Sequence, residues 1–334
     1  MLQKYFLEVK MMKGGVVFSI LSIFSGFLFQ NCSDTNEITP ADNWVQRSAF
    51  EGVARSSAVA FTIGDTAYVG TGLDAAKKDL SDFWQYDPKQ NTWTQLADFP
   101  GKARSEAVGF SVGQKGYLGT GVNVASNSLL RDFYAYDPAS NTWAPIADFA
   151  GSARRSAVAF SIDQAGYVGT GFDGKEQQDF WAYEPVSDAW TQKANFAGKG
   201  RTGAASFVIN SVGYVGTGRA GDLNQNDFWA YDPANDVWQE RKSFGATSIT
   251  RSNAVGFAIK NTGYFVTGAC ANRSGDYDVW AYNASSNTWS PRRAFQGVSR
   301  VKAVGFGVGS KGYVSTGMNG KTCLGDLWVL SSEN

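Results

Sequence analysis

Arg-x-x-Ala-x-x-Phe occurs six times in this chain, opening at Arg55, Arg104, Arg154, Arg201, Arg251 and Arg300. Thirteen residues after each Arg stands a tyrosine (Tyr68, Tyr117, Tyr167, Tyr214, Tyr264, Tyr313), and each begins Tyr-x-x-Thr-Gly. An aspartate then leads an aromatic segment, at Asp82, Asp132, Asp179, Asp227, Asp278 and Asp326. Tryptophan recurs at 44, 93, 143, 190, 238 and 289. Four markers in one fixed order thus agree on six units of about 48 residues, a period typical of stacked or radial repeat folds. A small sheet built from one such unit cannot cover both its faces, so the units must bury one another. That excludes the two separate domains that length alone would suggest.

Each unit reads as four strands. After the Arg, small and apolar residues alternate (Ala58, Val59, Ala60, Phe61), as an innermost strand beside a crowded axis requires. The Tyr segment continues as a second strand, and Gly-Thr-Gly releases it into a loop. Phe83-Trp84-Gln85-Tyr86 is a third strand. In Asp87-Pro88-Lys89-Gln90-Asn91, proline presets a turn and asparagine tolerates left-handed φ, so Trp93 begins a fourth strand. The last unit stops after its third strand at Leu330, while a spare fourth-strand motif, Asn43-Trp44-Val45-Gln46, precedes the first unit. The expectation is an all-β six-bladed propeller over residues 43–334, with four antiparallel strands per blade. The amino-terminal strand would complete the last blade and remove its open edge.

The order Arg, apolar strand, Tyr-x-Gly-Thr-Gly, then aromatic-x-Tyr-Asp-Pro-x-x-Asn-Thr-Trp resembles the kelch repeat. Its double glycine is here Gly-Thr-Gly, altered to Val-Thr-Gly at 266–268 and Ser-Thr-Gly at 315–317. The resemblance implies a propeller that binds partners through loops, and in some kelch proteins arginines at this strand start bind acidic ligands. It also implies two enzymatic relatives. The galactose-oxidase type uses histidines at copper, and this chain has none, so that chemistry is excluded. The sialic-acid mutarotase type remains as an alternative, with a carboxylate such as Glu106 near the axis.

Charge and composition narrow the function further. Lys+Arg and Asp+Glu are both 30, a balance that argues against a nucleic-acid partner. Without histidine there is no Ser-His-Asp triad and no imidazole-bound metal. Gly-Thr-Gly is no phosphate loop, since it leads from strand to strand and opens no helix. No cofactor and no metal are expected.

Residues 16–29 form an apolar run after Lys10 and Lys13, too short to span a bilayer, followed by Cys32-Ser33-Asp34. This resembles a bacterial lipoprotein signal, with Asn31 and Phe29 departing from the usual residues. Residues 1–32 are therefore read as a signal, Cys32 as the lipidation site and 33–42 as a polar tether. The expected location is the outer membrane or cell surface, otherwise the periplasm or the medium, as a monomer. Cys270 and Cys323 fall in equivalent loops of neighbouring units and form a possible disulfide in an oxidising compartment.

Two readings compete for the six arginines. They form a cationic ring at the channel mouth, or each pairs with the aspartate of its own unit. The loops after Gly-Thr-Gly vary while their scaffold repeats, which marks them for recognition. Their candidate contacts are Lys77, Lys78, Arg131, Lys175, Glu176, Arg219, Asp222, Arg273, Asp276, Tyr277 and Lys321. The chain is accordingly read as a non-catalytic binding module for a protein, acidic peptide or glycan. Its proposed contacts are the six arginines with Lys175, Arg219, Arg273 and Tyr277.

Overall fold

The computed structural model describes residues 42–244, 250–270 and 278–332, which lie in the second of the chain's two units, Glu37–Asn334. Among the described residues every regular element is a strand. Six four-stranded antiparallel sheets follow the repeat. Blade 1 is Val59–Ile63, Thr66–Gly70, Phe83–Asp87 and Thr92–Gln95, and blades 2 to 5 copy it from Val108, Val158, Ala205 and Val255. Blade 6 takes Val304–Val308, Lys311–Ser315 and Leu327–Ser332 from the end of the chain, and Asp42–Arg47 from its beginning. In that closing pair Trp44 lies opposite Leu330 and Arg47 opposite Leu327.

The inner strand shows why the alternation in the sequence is needed. Val59, Phe61 and Ile63 are buried between blades, while the residues between them turn toward the axis. There Ala58, Ala107, Ala157, Ala204, Ala254 and Ala303 form one tier of the channel wall. Only small side chains fit where six strands converge.

Each blade interface holds its own apolar cluster. Between blades 1 and 2, Phe61, Tyr68, Phe83 and Phe99 pack against Leu118 and Tyr136. Between the last blade and the first, Phe306, Tyr313 and Leu327 pack against Val69, Tyr86 and Trp93. The first of these contacts depends on a glycine: a Cβ at Gly116 would lie 2.1 Å from the Phe61 ring. Interfaces of one kind all round the ring leave no blade with an uncovered face.

Two rings of backbone hydrogen bonds lock the top of the channel. The last glycine of each Thr-Gly turn donates to the arginine carbonyl of the next blade, from Gly72 to Arg104 through to Gly317 back to Arg55. Gly72 has φ +101, and a Cβ there would meet the Ser56 carbonyl at 2.8 Å, so only glycine fits. The second ring runs through residues two positions after each arginine. Glu106 N donates to Ser57 O, Ser156 to Glu106, Gly203 to Ser156, Asn253 to Gly203, Lys302 to Asn253, and Ser57 to Lys302. That circuit is unbroken over all six blades.

Candidate functional site

The six arginines do not ring the mouth as ligand contacts. Arg55, Arg104, Arg154, Arg201, Arg251 and Arg300 have fully buried side chains, and each faces the aspartate of its own blade. In blade 1, Arg55 Nη1 and Nη2 donate to the two Asp82 oxygens at 2.7 and 2.5 Å. Nη1 also donates to Thr71 O, and Nε to Val53 O. The guanidinium lies over Phe50, 4.7 Å from its centroid, and the corresponding phenylalanines cover the other five arginines. In four blades a third-strand tryptophan donates to the same carboxylate, as Trp84 does to Asp82. A fully buried guanidinium with four of its five donors and one face so committed ties strands together and is closed to a ligand.

These pairs shift the carboxylates. Burial would raise the pKa of Asp82, Asp227 and Asp326, but the arginine and tryptophan hydrogen bonds outweigh it and hold all three below the usual range.

No disulfide joins Cys270 to Cys323 either. Cys270 lies on the strand paired with Arg251–Ser252, at the start of its loop. Cys323 lies on the return strand of the next loop, with Sγ directed at Leu73 O, 3.7 Å away. It thus faces blade 1, away from blade 5, which explains why their neighbouring loops do not bring them together. Cys32, Arg273, Asp276 and Tyr277 lie outside the described residues.

What does line the mouth is the column two residues after the arginines: Ser57, Glu106, Ser156, Gly203, Asn253 and Lys302. Where the scaffold repeats most strictly, these six include five different residue types, serine alone occurring twice. Their φ values lie between 52° and 60°, so each turns the chain at the rim. Above them a cavity of ≈ 350 Å³ is lined by Glu106, Arg155, Ser156, Phe172, Glu176, Thr202, Arg219, Asn253 and Lys302.

Glu106 is the hub of this wall. Its carboxylate accepts from Lys302 Nζ at 2.5 Å, from Ser156 Oγ at 2.5 Å and from Arg155 Nη1 at 3.3 Å. Burial would raise its pKa, yet Lys302, Ser156 and Arg155 prevail and keep it below the ordinary glutamate value. Arg155 also lies over Phe172, 5.5 Å from the ring centroid, which fixes its plane while 41% of its side chain stays exposed. Arg219 is braced by Gly221 O and Asp222. The wall carries three cationic and two carboxylate side chains. Such an arrangement can hold an anionic group at fixed cations and still accept hydroxyl donors.

Of the loop residues singled out from sequence, Arg219 and Glu176 reach the cavity, while Lys175 is exposed beside it. Arg155, Ser156, Phe172, Thr202, Asn253 and Lys302 were not anticipated. For five of the six the signal was present in the two residues after each repeat arginine, the columns of the Arg-x-x-Ala-x-x-Phe motif whose chemistry varies from blade to blade; Phe172 carried none.

A family model for the KLHDC2/KLHL20/DRC7 Kelch-repeats domain matches residues 23–218, more than half of the chain. The chain belongs to the kelch-repeat family. A search of curated proteins returns no match. Among solved structures, this kelch propeller is similar to one titled "Structure of YjhT". The TM-score is 0.74 at 17% identity, over 85% of this chain and 97% of that one. At that identity the likeness is one of fold, and the kelch propeller's own cavity must supply any argument about ligands.

Proposed function

We propose that this kelch propeller is a binding module for a small carboxylate-bearing saccharide, held in the cavity at the channel mouth. One observation carries the reading: at the rim of a strictly repeating scaffold, unlike polar side chains converge on one concave wall with an excess of positive charge. Its volume falls in the range of small-molecule sites. Arg155 and Lys302 supply the charge for a carboxylate, Ser156, Asn253 and Thr202 suit hydroxyl groups, and Phe172 offers an apolar edge. The test is calorimetric titration with N-acetylneuraminic acid and a neutral hexose. Binding of the acid alone, weakened in Lys302→Met, supports the reading, and equal indifference to both rejects it.

A second reading is favoured by Glu106 itself, the one carboxylate in the ring of six. The sialic-acid mutarotase type of kelch enzyme would need an acid–base residue there, and a carboxylate held ionised can accept a proton from an anomeric hydroxyl. Exchange NMR on the same sugar separates the two: faster interconversion of anomers favours the enzyme, and binding without acceleration favours the module.

Export and a lipid at Cys32 belong to this proposal on sequence alone. Palmitate labelling of the wild type that disappears in Cys32→Ser is the expected result, and labelling of both proteins alike would reject it.

A further inference from the structure

The cations of the cavity already have a carboxylate. Lys302 opens blade 6 and Glu106 opens blade 2, so their bond spans the start of blade 1 and crosses the rim above Ser57. Arg155 and Ser156, which open blade 3, hold the same carboxylate from the other side. Three of its lone-pair positions are thus filled, two of them by the cations that an incoming acid would use, and only 12% of the side chain remains exposed.

We infer that Glu106 is an internal occupant of the anion site, and that a ligand carboxylate binds by displacing it from Lys302 and Arg155. The inference rests on the anion-site reading above and adds its regulation. Two carboxylates cannot both take the shortest contacts with two cations, so binding is an exchange. The affinity observed is the difference between two similar interactions. After displacement, Glu106 is left beside the cavity's other carboxylate, Glu176, with the bound anion as a like charge. Arg219 is the cation nearest to hand on that wall, although Asp222 already engages it. Linkage then makes the effect reciprocal: the ligand raises the proton affinity of Glu106, and protonation of Glu106 favours the ligand.

This explains two features together. A binding site whose cations already share a carboxylate presents less exposed positive charge on an otherwise neutral protein. It also rejects weak anions, which cannot compete with a carboxylate held at fixed distance by three donors, and admits only those whose remaining groups contribute further contacts.

The experiment titrates N-acetylneuraminic acid, and inorganic phosphate as a simple anion, into wild type and Glu106→Gln. Removing the internal charge should tighten both ligands by about tenfold, with phosphate binding visible only in the variant. Equal or weaker binding by Glu106→Gln would overturn the inference while leaving the anion site in place. Failure of both proteins to bind either probe would overturn the anion-site reading, and this inference with it. Should Glu106→Gln fold poorly, 13C NMR of the Glu106 carboxyl in the wild type replaces it. Saturating N-acetylneuraminic acid should raise its titration midpoint, and an unchanged or lowered midpoint in the presence of bound ligand would defeat the exchange.

Discussion

Val266 faces Val279 across the fifth blade, at the register position where the first four blades set a glycine against a phenylalanine. Blade 6 pairs Ser315 with Leu327 there. The irregular Gly-Thr-Gly motifs are therefore no decay of the repeat. At Gly169, a Cβ would stand 2.3 Å from the Phe180 ring, so the first glycine makes room for phenylalanine, and a smaller partner releases it. Gly169→Val should destabilise the protein by about 1–3 kcal/mol through overpacking. Adding Phe180→Val should return part of that loss, a coupling of about 0.5–3 kcal/mol. Urea denaturation of the two single variants and the double variant measures it; additive losses would refute the compensation.

The strand order, the number of blades and the closing strand were all legible, because each depends on residues that must be alike in every unit. The arginine–aspartate pair was legible as one of two readings, since both columns repeat, and burial under Phe50 and its equivalents decides it. That phenylalanine, with the glycine two residues on, is itself a repeat marker outside the Arg-x-x-Ala-x-x-Phe motif: Gly52, Gly101 and Gly151 each leave room for the ring. The site was poorly legible for the opposite reason. Its residues differ from blade to blade, and a search for sameness discards them. Nothing in Lys302 or Glu106 taken singly predicts a bond between residues 196 apart in sequence. Only the circular closure brings them to one rim.

Acid should unfold the propeller through its buried pairs. Asp82, Asp227 and Asp326 have folded pKa values below the unfolded value of about 3.9, so their contribution is fully present above that value. It is lost as pH falls through it and on toward the lower folded values. The melting temperature should be nearly flat from about pH 7 to 5 and drop steeply below about pH 4. In Asp227→Asn the protein should be less stable at neutral pH, and the remaining acid-induced drop should be smaller than in the wild type. An identical drop would assign acid sensitivity elsewhere.

Closure predicts a disproportionate cost at the first described strand. Trp44 is 2% exposed and meets Phe295 edge-on, with ring centroids 4.9 Å apart. Trp44→Ala should cost about 3–5 kcal/mol, as for a core aromatic, although the residue precedes the first repeat. Deleting residues 1–47 should also leave the Leu327–Ser332 strand unpaired on one side, and so promote association between chains. Light scattering and thermal melts test both; a truncated protein that stays monomeric with an unchanged melt would contradict the closing role.

Arg154 and Arg155 are adjacent in sequence and should behave as opposites. Arg154 is buried, bound to both oxygens of Asp179, and covered by Phe149. Arg154→Ala leaves a carboxylate without its partner and should destabilise the fold by about 3–5 kcal/mol, while the protein that remains folded binds ligand as before. Arg155 turns the other way, into the cavity, where its bond to Glu106 is long and much of its side chain meets solvent. Arg155→Ala should leave the melting temperature within about 2 °C, because Arg155 is itself 41% exposed and Lys302 and Ser156 still hold the Glu106 carboxylate. Its effect should fall on the acidic saccharide, whose affinity drops by up to roughly 10-fold, short of a whole charged hydrogen bond of about 1.5–3 kcal/mol, because the variant also loosens the Glu106 carboxylate that the ligand displaces. Thermal melts and calorimetry on the two variants give a crossed result if the scaffold and the site are separate. The same loss in both columns would mean that the doublet acts as one unit, and that the mouth cannot be changed without changing the ring beneath it.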